Sequence, residues 1–358
     1  MSLHLWLRAE SKPGEERAPV TPAGVRRLRD AGVQVTVEAS PTRVFTDDEY
    51  AAAGATMAQT GAWVAAPRDA VILGIKELPT SDAPLVHRHV FFAHAFKEQK
   101  GWRDILRRFQ AGGGTLLDLE YLKNSDGRRV AAFGYWAGYV GAAVGVLAVA
   151  HLRTGSAAPL GAVRPWPGRA QLIAACTAAL GAAPAPSTIV LGAKGRSGSG
   201  AVALLGAVGA PVTSWDLAET RAGGPFDAIL AHELFVNAVL VMGPMKPFVT
   251  RAQLVNAGLA RRLAVIADVS CDPHSPHNPV PLYDDTTTME RPTVRAIGGR
   301  GDVAPLDVVA IDHLPSLLPR ESSEDFAEQL LPHLLDLAHG SPVWRGAEQV
   351  YRDTLARL

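Results

Sequence analysis

Cysteine is nearly missing from this chain. Two residues in 358, Cys176 and Cys271, are too few for a disulfide framework, so the sequence predicts a reducing, cytoplasmic setting. Excess charge of either sign is also missing. Thirty-five Lys and Arg balance thirty-five Asp and Glu, which leaves no electrostatic case for nucleic acid or an anionic membrane as partner. The first residues, Met1 to Arg8, lack the apolar stretch of a signal peptide. Neither a Walker loop nor a G-x-S-x-G elbow occurs, and no internal repeat or disordered tail is found.

Charge is absent altogether between Val130 and Ala150. Roughly 20 apolar residues can span a bilayer. However, Gly134, Gly138, Gly141 and Gly145 recur through the run, and small residues at that spacing admit a second backbone. The expectation is a helix buried inside protein, with no membrane span. At 47% hydrophobic residues the chain can form two cores, so two domains are expected.

What is present centres on residues 188–200, T-I-V-L-G-A-K-G-R-S-G-S-G. A β-branched run breaks into glycines, and about 20 residues later a second strand-like run, 211–216, ends in Asp216. This is the order of a dinucleotide-binding unit: strand, Gly-rich turn, helix, strand, acid for the ribose hydroxyls. Glycine lets backbone approach a pyrophosphate, and the helix N-terminus supplies N–H groups. The first gap, Gly192 to Gly195, is one residue longer than G-x-G-x-x-G, and Gly198 and Gly200 follow. A carboxylate at Asp216 favours NAD over NADP, because it would repel a 2′-phosphate.

Upstream, strand-like stretches at 3–8, 33–38, 70–74, 90–93 and 114–119 alternate with helix-like ones such as 21–31 and 101–110. That alternation predicts a parallel α/β sheet. Thr21-Pro22 reads as a cap followed by proline at the first helical position. A helix over 171–180, a linker over 181–187, and strands over 234–240, 263–269 and 308–311 are predicted next. The last forty residues read as helical, with Ser322 or Ser323 as cap.

Charged residues gather just past the predicted strand ends: Arg8 to Arg17, Lys76-Glu77, His94 and Lys97, Asp118 to Glu120, then Arg128-Arg129. Ligands of open α/β sheets bind at that edge. Any one cluster could be solvated surface, but their common placement predicts a site. Several cations near a nicotinamide suit a substrate with more than one carboxylate. Asp272-Pro-His274-Ser-Pro-His277 holds a possible metal pair, but prolines make it a loop and no third ligand has good spacing. No metal is expected.

The motifs R-A-E-x-K-P-x-E-x-R, G-I-K-E, F-A-H-x-F-K, D-L-E-Y-L, G-R-R-V-A-A-F-G, E-T-x-x-G-G-P-F, P-H-N-P and I-D-H-L-P-S-L-L-P-R-E occur in that order. The chain thereby resembles the NAD-dependent, lysine-forming saccharopine dehydrogenases of fungi from Leu7 to about Trp344. The first motifs also fit alanine dehydrogenases and the transhydrogenase NAD domain; the last is more specific. The resemblance implies an α/β fold of two Rossmann-like domains with mostly parallel sheets flanking a cleft. Residues 1–132 plus 320–358 would form the substrate domain and 133–319 the NAD-binding domain.

It further implies NAD-dependent cleavage of saccharopine to lysine and 2-oxoglutarate by a monomer. Lys76 would be the base on the amine and His94 would activate water. Glu77 and Glu120 would tune these groups and face the lysine ammonium, while Arg17, Lys97 and Arg129 would hold carboxylates. Lys12 and Asp312 match further positions near the site. Gly192, Gly195, Arg196, Ser197, Gly198, Asp216 and Arg221 would bind NAD. Fungal members carry cysteine where Ser197 and Ala238 stand, so no thiol chemistry is expected there. Two alternatives stay open: a sibling enzyme acting on another secondary amine or on a simple amino acid such as alanine, and a non-catalytic NAD-binding, transhydrogenase-like protein.

Overall fold

Parallel strands with apolar side chains on both faces need helices above and below them, and both sheets of this protein are built that way. The computed structural model describes residues 3–96, 101–241, 243–299 and 301–358. It divides into two units: Met1–Phe133 with Pro319–Leu358, and Gly134–Leu318.

The first unit holds six strands: β1 (His4–Leu7), β2 (Gln34–Glu38), β3 (Thr56–Ala58), β4 (Val71–Leu73), β5 (Arg88–Phe91) and β6 (Thr115–Asp118). Their order is β3-β2-β1-β4-β5-β6, and every pairing is parallel. The chain order reverses between β1 and β4, the switch point where doubly wound sheets place ligands. Thr21 caps the helix Pro22–Asp30, accepting from Gly24 N at 3.1 Å, with proline at the first position as expected. The chain's end returns to this unit. Phe326, Leu330, Leu331, Leu334 and Trp344 share a core with Leu5, Leu7, Val35 and Val71.

Two sequence expectations need correction here. The helix Pro319–Leu335 begins upstream of Ser322 and Ser323, and both serines are buried inside it. Ser323 Oγ instead donates to Pro319 O at 2.6 Å and accepts from Ala18 N at 2.9 Å. Strand β5 starts at Arg88, two residues before the apolar run suggested. His89, within it, is fully buried among Trp63, Phe91 and Phe109. The short edge strand β3 went unread, its exposed Thr56 and half-buried Met57 and Ala58 giving little pattern.

The second unit holds β7 (Thr188–Leu191), β8 (Val212–Trp215), β9 (Leu234–Asn237), β10 (Val265–Asp268), β11 (Val294–Ile297) and β12 (Leu306–Val309). Their order is β11-β12-β10-β9-β7-β8, parallel except for β11, which runs antiparallel to β12 at the edge. The charge-free run forms the helix Gly134–Arg153. It is long and apolar enough to cross a membrane, yet it is the central core helix of this unit. Its glycines explain why. A Cβ at Gly138 would lie 1.7 Å from Ser197 O, one at Gly141 2.7 Å from Val269 Cγ2, and one at Gly145 2.9 Å from Leu234 Cδ1. The reciprocal contact is Gly200, where a Cβ would meet Tyr135 O at 1.9 Å. Two helix backbones, 134–153 and 196–207, thus touch directly.

Candidate active site

In the first unit, β1, β4, β5 and β6 all finish at one sheet edge, and each is followed by ionisable side chains. Lys76 and Glu77 follow β4; His94 follows β5; Asp118 and Glu120 close β6. The long segment after β1 contributes Arg8, Glu10, Lys12, Glu15 and Arg17.

Glu77 joins two of these clusters. Its Oε1 is 3.5 Å from His94 Nε2, and its Oε2 is 3.9 Å from Lys12 Nζ. All three side chains are about 40% exposed, open to a ligand. His94 adopts φ +53°, rare for a residue with a Cβ, so the turn after β5 is held in a left-handed conformation at this histidine. Asp118 supports that turn: its Oδ2 accepts from Ala93 N at 3.3 Å and its Oδ1 from Glu120 N at 2.9 Å.

Lys76 is partly buried. Burial, then the Arg17 and Lys12 cations, hold its amine below the usual lysine range, against the opposing pull of Glu15 and Glu77. A lysine so placed can give up its proton nearer neutral pH. Arg17 is buried and bidentate to Glu15, with Nε to Oε1 at 2.8 Å and Nη2 to Oε2 at 2.6 Å, and its guanidinium lies 4.3 Å over the Phe133 ring. Burial works against an ionised Glu15, but Arg17 and Lys76 outweigh it and keep its carboxyl below the ordinary range. Arg129 is exposed on the turn that follows, bridged in β fashion to Lys123. Lys97 lies outside the described residues.

In the second unit the Gly-rich turn links β7 to the helix Arg196–Ala207. Gly192 takes φ +79°, and a Cβ there would sit 2.9 Å from Ala238 O. At Gly198 a Cβ would sit 2.0 Å from Gly192 O. The extra residue of the first gap is absorbed in a tight turn, closed by Gly195 N to Gly192 O at 3.0 Å. Gly195 is the helix N-cap and has no side chain to occupy the first N–H groups, those of Arg196, Ser197 and Gly198. That cradle fits a dinucleotide pyrophosphate.

Asp216 follows β8 and faces this turn. Its Oδ2 accepts from Lys194 N at 2.9 Å and its Oδ1 from Leu217 N at 2.8 Å. These two backbone bonds hold the carboxyl below its ordinary range, so it stays a fixed anion with lone pairs left for hydroxyl donors. Arg221 is exposed at the end of the next helical turn, Leu217–Thr220. Asp312 lies in the second unit, exposed, just after β12. His274 is 3.6 Å from Asp285, both well exposed.

Two buried groups escaped the sequence reading. Arg8 and Glu10 stood in the first charged cluster without a role, although alternation after a strand puts both on one side. Asp268, at the end of β10, accepts from Asn237 Nδ2 at 2.9 Å and from Tyr283 OH at 2.7 Å, tying the ends of β9 and β10 to the loop before β11.

The chain is similar to known proteins along its whole length. The family described as alanine dehydrogenase/PNT, N-terminal domain, matches residues 6–140. An L-alanine dehydrogenase structure superposes over 98% of this chain and 94% of its own with a TM-score of 0.68 at 17% identity, a likeness of fold. A saccharopine dehydrogenase [NAD(+), L-lysine-forming] of Yarrowia lipolytica is 46% identical over 99% of this chain and 98% of its own. The Candida glabrata protein of the same name is 46% identical over 100% and 98%. Identity at that level along both full lengths means that the chain belongs to the NAD-dependent, L-lysine-forming saccharopine dehydrogenase family.

Proposed function

We propose that the protein catalyses the NAD-dependent oxidative cleavage of saccharopine, with water, to L-lysine and 2-oxoglutarate. The observation that carries this reading is the placement of Lys76 and His94 at the ends of adjacent parallel strands, with Glu77 reaching His94 and Lys12. Two separate proton-transfer groups suit a reaction with two separate proton demands. An alanine-type oxidation, by contrast, has no lysine to release and no long dicarboxylate to hold.

The chain's own groups perform the following steps. Lys76, neutral, takes the proton from the secondary amine as the glutaryl α-carbon loses hydride. Gly192, Gly195, Gly198 and Asp216, with Arg196, Ser197 and Arg221 alongside, would hold NAD, which would supply the hydride acceptor. The substrate is left as an imine. His94 removes a proton from water, whose oxygen adds to the imine carbon. Collapse of that adduct breaks the C–N bond; the lysine nitrogen leaves protonated and the carbon becomes the ketone of 2-oxoglutarate. One proton is released overall.

Glu77 and Glu120 supply negative charge for the lysine ammonium, and Arg17, Lys97 and Arg129 supply cations for carboxylates, as the family resemblance implies. Lys12 joins the Glu77 pair. Asp312 is assigned a place near the substrate on the same resemblance. The reading takes the protein as a cytoplasmic monomer, supported by its two cysteines and balanced charge for the compartment and by the resemblance alone for the monomer.

NADH formation at 340 nm with saccharopine, alanine and other opine-type amines tests the proposal. Turnover with saccharopine at kcat/KM at least a hundredfold above alanine is expected. Turnover only with another amine would reassign the substrate, and none with any amine would leave an NAD-binding protein.

A further inference from the structure

Arg8 and Glu10 are almost fully buried, with side chains 1% and 6% exposed, directly behind Lys76. The Glu10 carboxylate accepts from two consecutive backbone N–H groups, Ile75 N to Oε1 at 2.6 Å and Lys76 N to Oε2 at 3.0 Å. Arg8 Nη1 is 3.3 Å from Glu10 Oε2, and Arg8 Nη2 donates to Lys76 O. Both polar groups of the Lys76 main chain are therefore held by one ion pair. Arg8 is itself fixed: its backbone N donates to Leu73 O at 3.0 Å, and its guanidinium lies 5.8 Å from the Phe91 ring centroid. Gly74 makes the crossing possible. A Cβ there would lie 2.5 Å from Arg8 Nε.

The arrangement is not a generic strand end. Beyond β4 the chain leaves the sheet, and Ile75 N and Lys76 N would otherwise need other acceptors. The chamber behind Glu10 is about 10 Å³, lined by Glu15, Arg17, Ser40 and Arg43, so it has room for one water at most. The largest charge effects on the Lys76 amine come from Arg17, Lys12, Glu15 and Glu77. Glu10 instead meets Lys76 at its main chain, through the backbone N–H.

We propose that Glu10, locked by Arg8, is a positioning residue for the acid–base lysine: it clamps the Ile75–Lys76 peptides so that the Lys76 amine is presented to the substrate nitrogen in one orientation. This rests on reading Lys76 as the base. Misplacement of a reacting group by about 1 Å can cost a hundredfold in rate. Glu10→Gln removes one of two acceptors and leaves a backbone N–H unpaired. Gly74→Ala disturbs the same clamp without changing any charge, by pushing the flexible end of Arg8 off Lys76 O.

The test is a double-mutant cycle on saccharopine oxidation. Glu10→Gln and Gly74→Ala are each measured alone and in a Lys76→Ala background supplied with ethylamine as a diffusible base. Each clamp variant alone should lower kcat about 10- to 100-fold. In Gly74→Ala the KM values and the pH of the acidic limb should stay where they were, because no charge near the amine changes. In the Lys76→Ala background the same substitutions should cost less than twofold, since no tethered amine remains to be aimed.

Equal losses in both backgrounds would overturn the proposal, because Glu10 would then act on fold or binding rather than on Lys76. Undiminished kcat in both clamp variants would overturn it too. Should Glu10→Gln fail to fold, Gly74→Ala decides alone. If Lys76→Ala without amine turns over normally, the base assignment fails instead, an outcome distinct from both.

Discussion

Glu77 and His94 face each other across the ends of β4 and β5, Oε1 to Nε2 at 3.5 Å. The same carboxylate raises the affinity of Lys76 for its proton, against the burial and the cations that lower it. One side chain therefore touches one candidate proton carrier and acts electrostatically on the other.

Glu77→Gln should for that reason shift the pH profile rather than abolish activity. The sign follows from the charge. With the carboxylate gone, Lys76 is pushed further below the usual lysine range, and imidazolium at His94 loses its anion. Lys76 then sheds its proton at lower pH, so the acidic limb of the kcat profile for saccharopine oxidation should move toward acid. A profile that stays in place, or moves toward alkali, would show that Glu77 does not act on either group.

Lys76→Met and His94→Gln should each lower kcat by about 10²–10⁴-fold, the usual contribution of a general acid–base group. NADH binding, followed by fluorescence, should be nearly unchanged. The double variant should lose less than the product of the single losses, because groups acting in one reaction are not additive. Near-normal turnover in both single variants would remove them from the chemistry.

Asp216→Ser should narrow the preference for NAD over NADP. Its carboxylate is a fixed anion beside the Gly-rich turn, tied to Lys194 N and Leu217 N. A 2′-phosphate brought near it meets like charge. The ratio of kcat/KM values for the two cofactors is the measurement. A wild-type protein that uses NADP as well as NAD would contradict the assignment.

Much of this architecture could be read in the residues. Apolar, β-branched runs such as Thr188–Leu191 and Val71–Leu73 become strands buried on both faces, because their pattern has one solution in a parallel sheet. Gly138 and Gly200 could be read as sites of close approach, though which backbone each one meets is a tertiary fact. β5 was misplaced because His87, Arg88 and His89 look polar, and only the fold shows that His89 fills an aromatic core. β11 was missed since half of it, Val294 and Arg295, is exposed at an edge. At the site, the ionisable residues that reach solvent announced themselves by cluster. The Arg8–Glu10 clamp did not, since its meaning lies in bonds to backbone 65 residues away.

His89 sets the last expectation. Among the described residues neither of its ring nitrogens has a hydrogen-bond partner, and its ring lies 5.2 Å from Trp63 and 5.3 Å from Phe109. Burial first, then the neighbouring His87, Arg8 and Arg108, push its pKa down to about 3 from 6.5. The folded chain therefore refuses a proton that the unfolded chain accepts between those values. Stability is fully present above pH 6.5 and drains away as pH falls toward 3; below that both states are protonated and no more is lost. His89→Phe keeps an aromatic ring in the cluster and removes the titration. Its thermal midpoint should match or exceed that of the parent at pH 7.5, and its advantage should widen steadily as pH falls to 4. Each kcal/mol of that difference would move the midpoint by roughly 2–4 °C for a unit of this size. Parallel midpoint curves for the two proteins across that range would mean that His89 finds a proton partner in the fold.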